Sequence, residues 1–560
     1  LADKLTLFIF FFQVFTLRGK KMNRRSLVSL AFGSFILLLT LAEARPLLGQ
    51  SSTPPPDSQQ EVAPPTTLQL SLDDCILKAL KHNLGLAAEM ITPELADRNV
   101  TLAAEKFLPS LSLNYNQQDT RTASYSFLDA SDVVTTRQND YTVQLGQQLP
   151  AGGSLSFSLY NYVNESNRRF QTINPRYGST IRINFSQPLL KDFGFRISRR
   201  EIIIAQHSRD ISEENFQKLL EDTIYSVESI YWNLVYSREN LKVRQQSLKL
   251  AQELLEKNKI EIEAGTLPPI ERLTAEAEVS TRQADILEAE ALVKNYEDQL
   301  KTIMNLAAEI KDVKNVCIIP TDSPQVTKRE ISFDEALNTA WQKRPDLLAT
   351  RIDVDGKQFN FSYARNQLLP DLRLQFSYWS PGISGDQILY KDNNALSGIV
   401  VGTIPGKKTD ALRDAIKFRF KNWSLGITVN FPINSIFTRA YYAQAKLSLE
   451  QAKLKLKNQE QQLSLEISNV VRAVETNYQR AQAYRAAREL AEKKLEAEQE
   501  KLKVGMSTNY LVLQYQRDYA NALTMELKAL IDYNLSLANL DRVMGLGREK
   551  RNVRSVLGDD

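Results

Sequence analysis

Two periodicities divide the chain. In four stretches apolar and polar residues alternate at every step. Leu111, Leu113 and Tyr115 stand against Ser110, Ser112, Asn114 and Asn116; Ile181, Ile183 and Phe185 against Thr180, Arg182, Asn184 and Ser186. Further on, Leu372, Leu374, Phe376 and Tyr378 stand against Asp371, Arg373, Gln375 and Ser377, and Trp423, Leu425, Ile427, Val429 and Phe431 against Ser424, Gly426, Thr428 and Asn430. Period two predicts strands with one apolar and one polar face. Elsewhere apolar residues recur at three and four spacing, as in Ile224, Val227, Ile230, Tyr231, Leu234 and Val235, among abundant Ala, Glu, Gln, Lys and Leu. That spacing and composition predict helices. Two of them, from about Arg200 to Ile262 and from Ile436 to Lys503, meet no proline and should each be on the order of 95 to 100 Å long.

Prolines and glycines set the borders. Pro109 in "FLPSLSLNYN" and Pro370 in "LLPDLRLQFSYW" separate a helical stretch from an alternating one, and Pro188 in "INFSQPLL" and Pro432 in "VNFPINS" follow alternating stretches. Each removes a donor and biases its predecessor to extended geometry, so all four read as junctions between helix and strand. Gly265 in "EAGTLPP" and Gly505 in "KVGMSTN" supply the freedom for a turn after each long helix. Medium helices follow, Pro268 to Met304 and Ser507 to Met544, and others precede the strands, Gly85 to Phe107 and Asp346 to Leu368. In each half the two medium helices sum to roughly 60 residues, so stacked end to end they match one long helix in a coiled-coil-like layer.

The halves repeat one plan. "LSLDDCILKALKHN" at Leu70 matches "ISFDEALNTAWQKR" at Ile331, with Leu72 on Phe333, Ala79 on Ala340 and Pro109 on Pro370 at one offset. The chain is therefore expected to be internally duplicated. The first repeat spans 68–330, with strands in 110–187 and a long helical hairpin over 200–304; the second spans 331–546, with strands in 371–431 and a hairpin over 436–544; 547–560 is a tail. Tyr141 to Val163 reads as an additional hairpin turning at Gly152 and Gly153. It could widen a barrel, extend a loop or pack elsewhere, and strand parity survives all three.

From Met22 to Ala44 a basic start, an apolar stretch and a small-x-small end read as a secretory signal peptide. Residues 1–21 read as upstream translation, and the Pro-, Ser- and Gln-rich stretch 45–67 as a disordered linker. These signals bear on the strands. Alternation alone fits a soluble sheet over a core, but a signal peptide, no spanning helix after cleavage, and Tyr115, Tyr378, Trp379 and Trp423 near strand ends favour a membrane barrel with aromatic girdles. One chain has too few strands to close it, so closure requires oligomerisation.

Composition excludes other classes. With 70 Lys and Arg against 66 Asp and Glu, a net charge of +4 argues against a nucleic-acid binder. Two His and two Cys are too few for a zinc site of the usual kind, and no cofactor is expected. Cys75 and Cys317 read as two buried thiols, with a disulfide as the alternative in an oxidising compartment. "VGTIPGKKTD" from Val401 has three residues between its glycines where a phosphate loop needs four. No catalytic constellation remains.

On these features the sequence resembles the TolC-like outer membrane efflux protein family. The paired openings, the "LPSLSLNY" and "LPDLRLQFSY" strand entries, the "SQPLL" and "NFPIN" exits and the two Gly turns, each in order in both halves, carry the resemblance over about residues 68 to 546. It implies an α+β membrane protein: a homotrimer forming one outer-membrane β-barrel, continued by a periplasmic α-helical coiled-coil barrel. It further implies a passive exit duct for an efflux pump or type I secretion system, working with a periplasmic adaptor and an inner membrane transporter. The resemblance also places adaptor docking and gating at the hairpin tips: Gly265, Thr266, Leu267 and Glu271 in the first, Val504, Gly505, Met506 and Ser507 in the second. Glu271 stands where the family tends to have an aspartate, whereas Leu511 and Gln514 replace the acids of some members, and Leu502 and Ser507 replace a tyrosine and an arginine. A periplasmic adaptor or a coiled-coil structural protein is the alternative reading.

Overall fold

The computed structural model describes residues 66–129 and 131–551. Residues 1–21, the expected signal peptide at 22–44, the expected linker up to residue 65 and tail residues 552–560 lie outside the described residues. The first half contains β1 (Thr66–Leu70), α1 (Leu72–His82), α2 (Leu84–Ala104), β2 (Ser110–Ala123), β3 (Val133–Gln148), β4 (Ser154–Ser166), β5 (Ile173–Pro188), α3 (Phe195–Ser198), α4 (Arg200–Glu263) and α5 (Ile270–Ile303). The second contains β6 (Val316–Pro320), α6 (Phe333–Lys343), α7 (Pro345–Asn366), β7 (Asp371–Tyr390), β8 (Val400–Ile404), α8 (Lys408–Ile416), β9 (Asn422–Asn430), α9 (Ile436–Lys503), α10 (Asn509–Met544) and α11 (Gly547–Lys550).

The long helices α4 and α9 hold 64 and 68 residues, so each runs about 100 Å. Nothing in either sequence breaks the hydrogen-bond ladder, and shorter helices share their length. α2 and α5 both pack along α4, α7 and α10 both pack along α9, and α7 and α10 also reach α4. Across the layer the order is therefore α2 with α5, then α4, then α7 with α10, then α9. Two apolar cores lie midway along the long helices. In one, Ile76 and Ala79 of α1 meet Val227, Tyr231 and Leu234 of α4 and Ile318 of β6; in the other, Ala336 and Ala340 of α6 meet Ile467 and Val470 of α9 and Leu540 of α10.

A small parallel sheet of β1 and β6 seats the first core, with Thr67 opposite Cys317. β1 begins at Thr66, inside the stretch expected to be linker. Five residues are too few to display a period, which is why pattern alone passes over both strands. Asp322, just beyond β6, accepts from the Leu72 N–H at 2.7 Å and from the Tyr231 hydroxyl at 3.0 Å. Cys75 and Cys317 are free thiols. Burial pushes the Cys75 pKa up to about 12, and Cys317 lies 2.7 Å from an Arg238 guanidinium nitrogen.

The main sheet runs β2-β3-β4-β5-β7, with β9 and the short β8 both against β7. Every pairing is antiparallel. The additional hairpin thus stands inside the sheet, between β2 and β5. Register carries the apolar face across all six long strands: Leu113 of β2 opposes Val143, Val143 opposes Leu159, and Leu159 opposes Ile181. On the far side Phe185 opposes Phe376, which opposes Leu425. Leu113, Leu155, Phe157, Leu425 and Ile427 are exposed, as an apolar face against lipid requires. Tyr115 and Tyr141, with ring centroids 5.0 Å apart, extend the aromatic girdle onto the additional hairpin. Trp379 does not belong to that girdle. Its neighbour Tyr378 takes the apolar face, so Trp379 points to the polar one, where the Arg182 guanidinium lies 5.2 Å from its ring.

Among the described residues the sheet does not close: β2 is its free edge on one side, and β9 with the short β8 on the other. Among the described residues no helix is long and apolar enough to cross a membrane.

Candidate gate at the hairpin tips

The two tips are built alike. α4 ends where the Gly265 N–H donates to Ile262 O at 3.0 Å and the Thr266 N–H to Glu261 O at 2.9 Å; α9 ends with Gly505 donating to Leu502 O at 3.1 Å and Met506 to Lys501 O at 2.8 Å. This pair of bonds is a Schellman motif, which needs a left-handed residue. Gly265 and Gly505 provide it, with φ of 74° and 76°. Ser507 then donates to Glu498 Oε1 at 2.6 Å and Thr508 caps α10 through Leu511 N–H. Ser507 and the Lys501 ammonium together hold the Glu498 carboxylate below its ordinary pKa.

The predicted tip residues are spread rather than gathered. Thr266, Val504 and Met506 are exposed and Leu267 is half-buried; Val504 and Met506 keep 70% and 78% of their surface. Glu271 lies half-buried at the start of α5, and its carboxylate meets no cation among the described residues. The four junction prolines sit at strand ends. Pro109 and Pro370 immediately precede β2 and β7, Pro188 is the last residue of β5, and Pro432 follows β9.

A polar seam about one to five turns from the tips fastens the first hairpin to the second. Asn509 of α10 donates to Asn258 of α4 at 2.7 Å, and both are buried. Beside them Leu254, Val279 and Leu513 form an apolar plug. Next comes Arg282 of α5, also buried. Its guanidinium donates to Glu278 at 3.1 Å, to Ser247 O of α4 at 2.7 Å, and to Leu513 O and Gln516 of α10 at 3.4 and 3.5 Å. Glu278 in turn accepts from Arg517 of α10 at 2.7 Å. Burial lowers the Arg282 pKa and Glu278 opposes that, yet a guanidinium stays charged at any working pH. One carboxylate thus stands between two charged arginines on different helices. Further up, Thr524 of α10 donates to Asn240 of α4 at 3.2 Å.

Sequence reasoning found the turns and missed the seam. The one available signal is a polar residue at a helix-interior apolar position: Asn258 and Arg282 in the first hairpin and Gln516 in the second; Asn509, the first residue of α10, gives no such signal. The "VGTIPGKKTD" stretch is no phosphate loop. Gly406 packs on the backbone of Gly385, where a Cβ would lie 2.2 Å from a carbonyl oxygen, and the strand that leads through it into α8 is the short, exposed β8 rather than a buried one.

The fold has known counterparts. It is similar to the Campylobacter jejuni CmeC outer membrane channel, 18% identical with a TM-score of 0.58, covering 87% of this chain and 89% of that one. It is also similar to the open state of the Neisseria gonorrhoeae MtrE outer membrane channel, 20% identical with a TM-score of 0.57 over 85% and 89% of the two chains. The Vibrio cholerae outer membrane protein VceC is 16% identical with a TM-score of 0.57, over 85% and 96%. No curated protein matches the sequence. The model of the family described as "Outer membrane efflux protein" matches residues 159–306 and 336–546, leaving β2 and β3 outside the matched segments. These segments are more than half of the chain, and with a fold built for an outer-membrane channel and a periplasmic helical layer, they establish that this chain belongs to the outer membrane efflux protein family.

Proposed function

We propose that three copies of the chain close into one passive exit duct, a barrel in the outer membrane continued by a helical tunnel in the periplasm, within an efflux pump or a type I secretion system. The observation that carries this is that both layers of the protomer are open on the same two flanks. β2 follows α2, and these lie on one flank; β9 leads into α9, and these lie on the other. Both helices expose leucine-rich stripes: Leu84, Ile91, Leu95 and Leu102 on α2, and Leu447, Leu454 and Leu465 on α9. Spacings of seven, four and seven along α2 are those of a coiled-coil seam.

The strand directions agree. Five successive antiparallel pairings lead from β2 to β9, so the two edges run oppositely and β2 of one copy can pair antiparallel with β9 of the next. Such a head-to-tail interface closes into a ring when the rotation allows. The family resemblance sets the copy number at three, and three copies of six long strands give eighteen. Duplication within the chain supplies the helix-to-strand crossing twice per copy.

The duct performs no chemistry and draws its energy from an inner membrane transporter, reached through a periplasmic adaptor at the tips. The seam around Arg282 fastens the hairpins in the closed state. Exposed Val504 and Met506 offer the adaptor an apolar contact. Met506→Asp is expected to abolish co-purification of the adaptor from the native host, and efflux with it, while conductance in planar bilayers stays at the wild-type value. A variant that still captures adaptor and supports efflux would remove the second tip from the docking site.

A further inference from the structure

α8 lies on the outside of the barrel wall. β5 and β7 pair without a register break from Arg176 and Gly385 to Pro188 and Arg373, so Gly382 projects to the same side as Leu374, Phe376 and Tyr378. A Cβ at Gly382 would come within 2.0 Å of the Ala411 carbonyl oxygen. On that same side Phe418 stacks on Tyr378 with centroids 5.6 Å apart, and the Lys408 ammonium lies 5.4 Å from the Tyr177 ring. Buried Ala411 and Ala415 let the helix approach this closely. The junction prolines mark the periplasmic ends of the strands, whereas Trp423 stands second in β9, at the opposite end. The helix therefore rests just beyond the outer limit of the apolar band.

Its composition suits that level. From Lys407 to Lys421 there are six basic residues, Lys407, Lys408, Arg413, Lys417, Arg419 and Lys421, and two acidic ones, Asp410 and Asp414. Arg413 and Arg419 pair with those acids at 3.3 and 3.1 Å. Lys407, Lys417 and Lys421 are exposed and meet no carboxylate among the described residues. Between these cations Ile416, Phe420 and Trp423 remain 55%, 50% and 68% exposed. Aromatic and aliphatic tips interleaved with free lysines, at the edge of a lipid-facing surface, are the pattern of a segment lying in a membrane interface.

We propose that α8 and the segment to Trp423 form a docking surface for the phosphates of anionic lipid headgroups in the outer leaflet. Apolar side chains enter the acyl boundary and the free lysines meet the phosphates above it. The helix packs on the faces of β5 and β7, above the level where β9 stops at Trp379, and its net positive charge suits an anionic lipid surface. The placement rests on the outer-membrane reading, and the test separates the two.

The full chain, purified in detergent, is titrated with phosphatidic acid or phosphatidylcholine, and bound lipid is counted by native mass spectrometry. The wild type is expected to retain phosphatidic acid in preference to phosphatidylcholine, less so as salt rises. A triple variant, K407Q, K417Q and K421Q, is expected to lose at least tenfold in apparent affinity, each cation near an anionic surface counting about fivefold. Equal retention by variant and wild type would overturn the proposal. So would displacement of the lipid by millimolar inorganic phosphate, which would mark a soluble-phosphate site. Both proteins should conduct equally in planar bilayers; if neither conducts, the channel reading fails instead.

Discussion

Arg282→Ala is expected to open the channel: in planar bilayers the variant should dwell in high-conductance states that the wild type visits rarely. The side chain contributes donors to acceptors on α4, α5 and α10 at once, and alanine leaves those acceptors buried without them. Glu278 would keep only Arg517, an arginine that is 59% exposed and correspondingly screened. Removing one partner from a buried pair costs about 3 kcal/mol or more. If that cost falls on the fastened state, the open-to-closed ratio rises on the order of a hundredfold. Arg282→Lys should restore only part of the closure, because one ammonium cannot span three helices. Conductance equal to wild type in Arg282→Ala would take the seam out of the gate.

Arg551→Ala is expected to lower the stability of the folded protomer by about 3 kcal/mol near neutral pH. Beyond α10 the chain turns at α11 and lays Arg548 and Arg551 against α4. Arg551 donates to Glu228 at 2.6 and 3.0 Å and to Asp73 of α1 at 2.7 Å; the Arg548 N–H donates to Glu221 at 3.2 Å. Glu221 and Glu228 expose only 3% and 6% of their surface. Burial raises both carboxyl pKa values, and the two arginines pull them back down. A raised folded pKa means that the folded protein binds more protons than the unfolded chain, so its stability falls as pH rises through the raised value. Without Arg551 the Glu228 pKa moves further up. The loss in the variant should therefore be largest at neutral pH and shrink on acidification below the ordinary glutamate range, where both states hold the proton. Thermal unfolding of wild type and variant at pH 7 and pH 4 reads this directly, and a loss that does not depend on pH would contradict it.

What the sequence discloses follows from how local each cause is. Pro109, Pro370, Gly265 and Gly505 act through their own backbone, and strands and turns can be read around them. Alternation in Leu372 to Tyr378 likewise states which face is apolar without reference to a neighbour. The seam is different. Asn258 and Asn509 are separated by 251 positions and Arg282 and Gln516 by 234, so their partnership exists only once α4, α5 and α10 lie side by side. The additional hairpin is legible as a hairpin, but only register with β2 and β5 places it inside the sheet. Trp379 stands near a strand end, as a girdle residue would, but parity from Tyr378 puts it on the polar face. In the tail, Arg548 and Arg551 look like ordinary solvated charges until α4 brings Glu221 and Glu228 to meet them.

The inserted β3–β4 pair has a consequence for the pore. In the proposed trimer, two further strands in each copy would widen the barrel roughly in proportion to strand number. Cryo-electron microscopy of the detergent-purified full-length protein tests the account most directly. The account predicts a three-fold ring in which β2 of each copy pairs with β9 of the next, eighteen long strands around one lumen, and a helical tunnel continuing it. A protomer that closes its own sheet, or a ring that leaves β3 and β4 outside the wall, would contradict it.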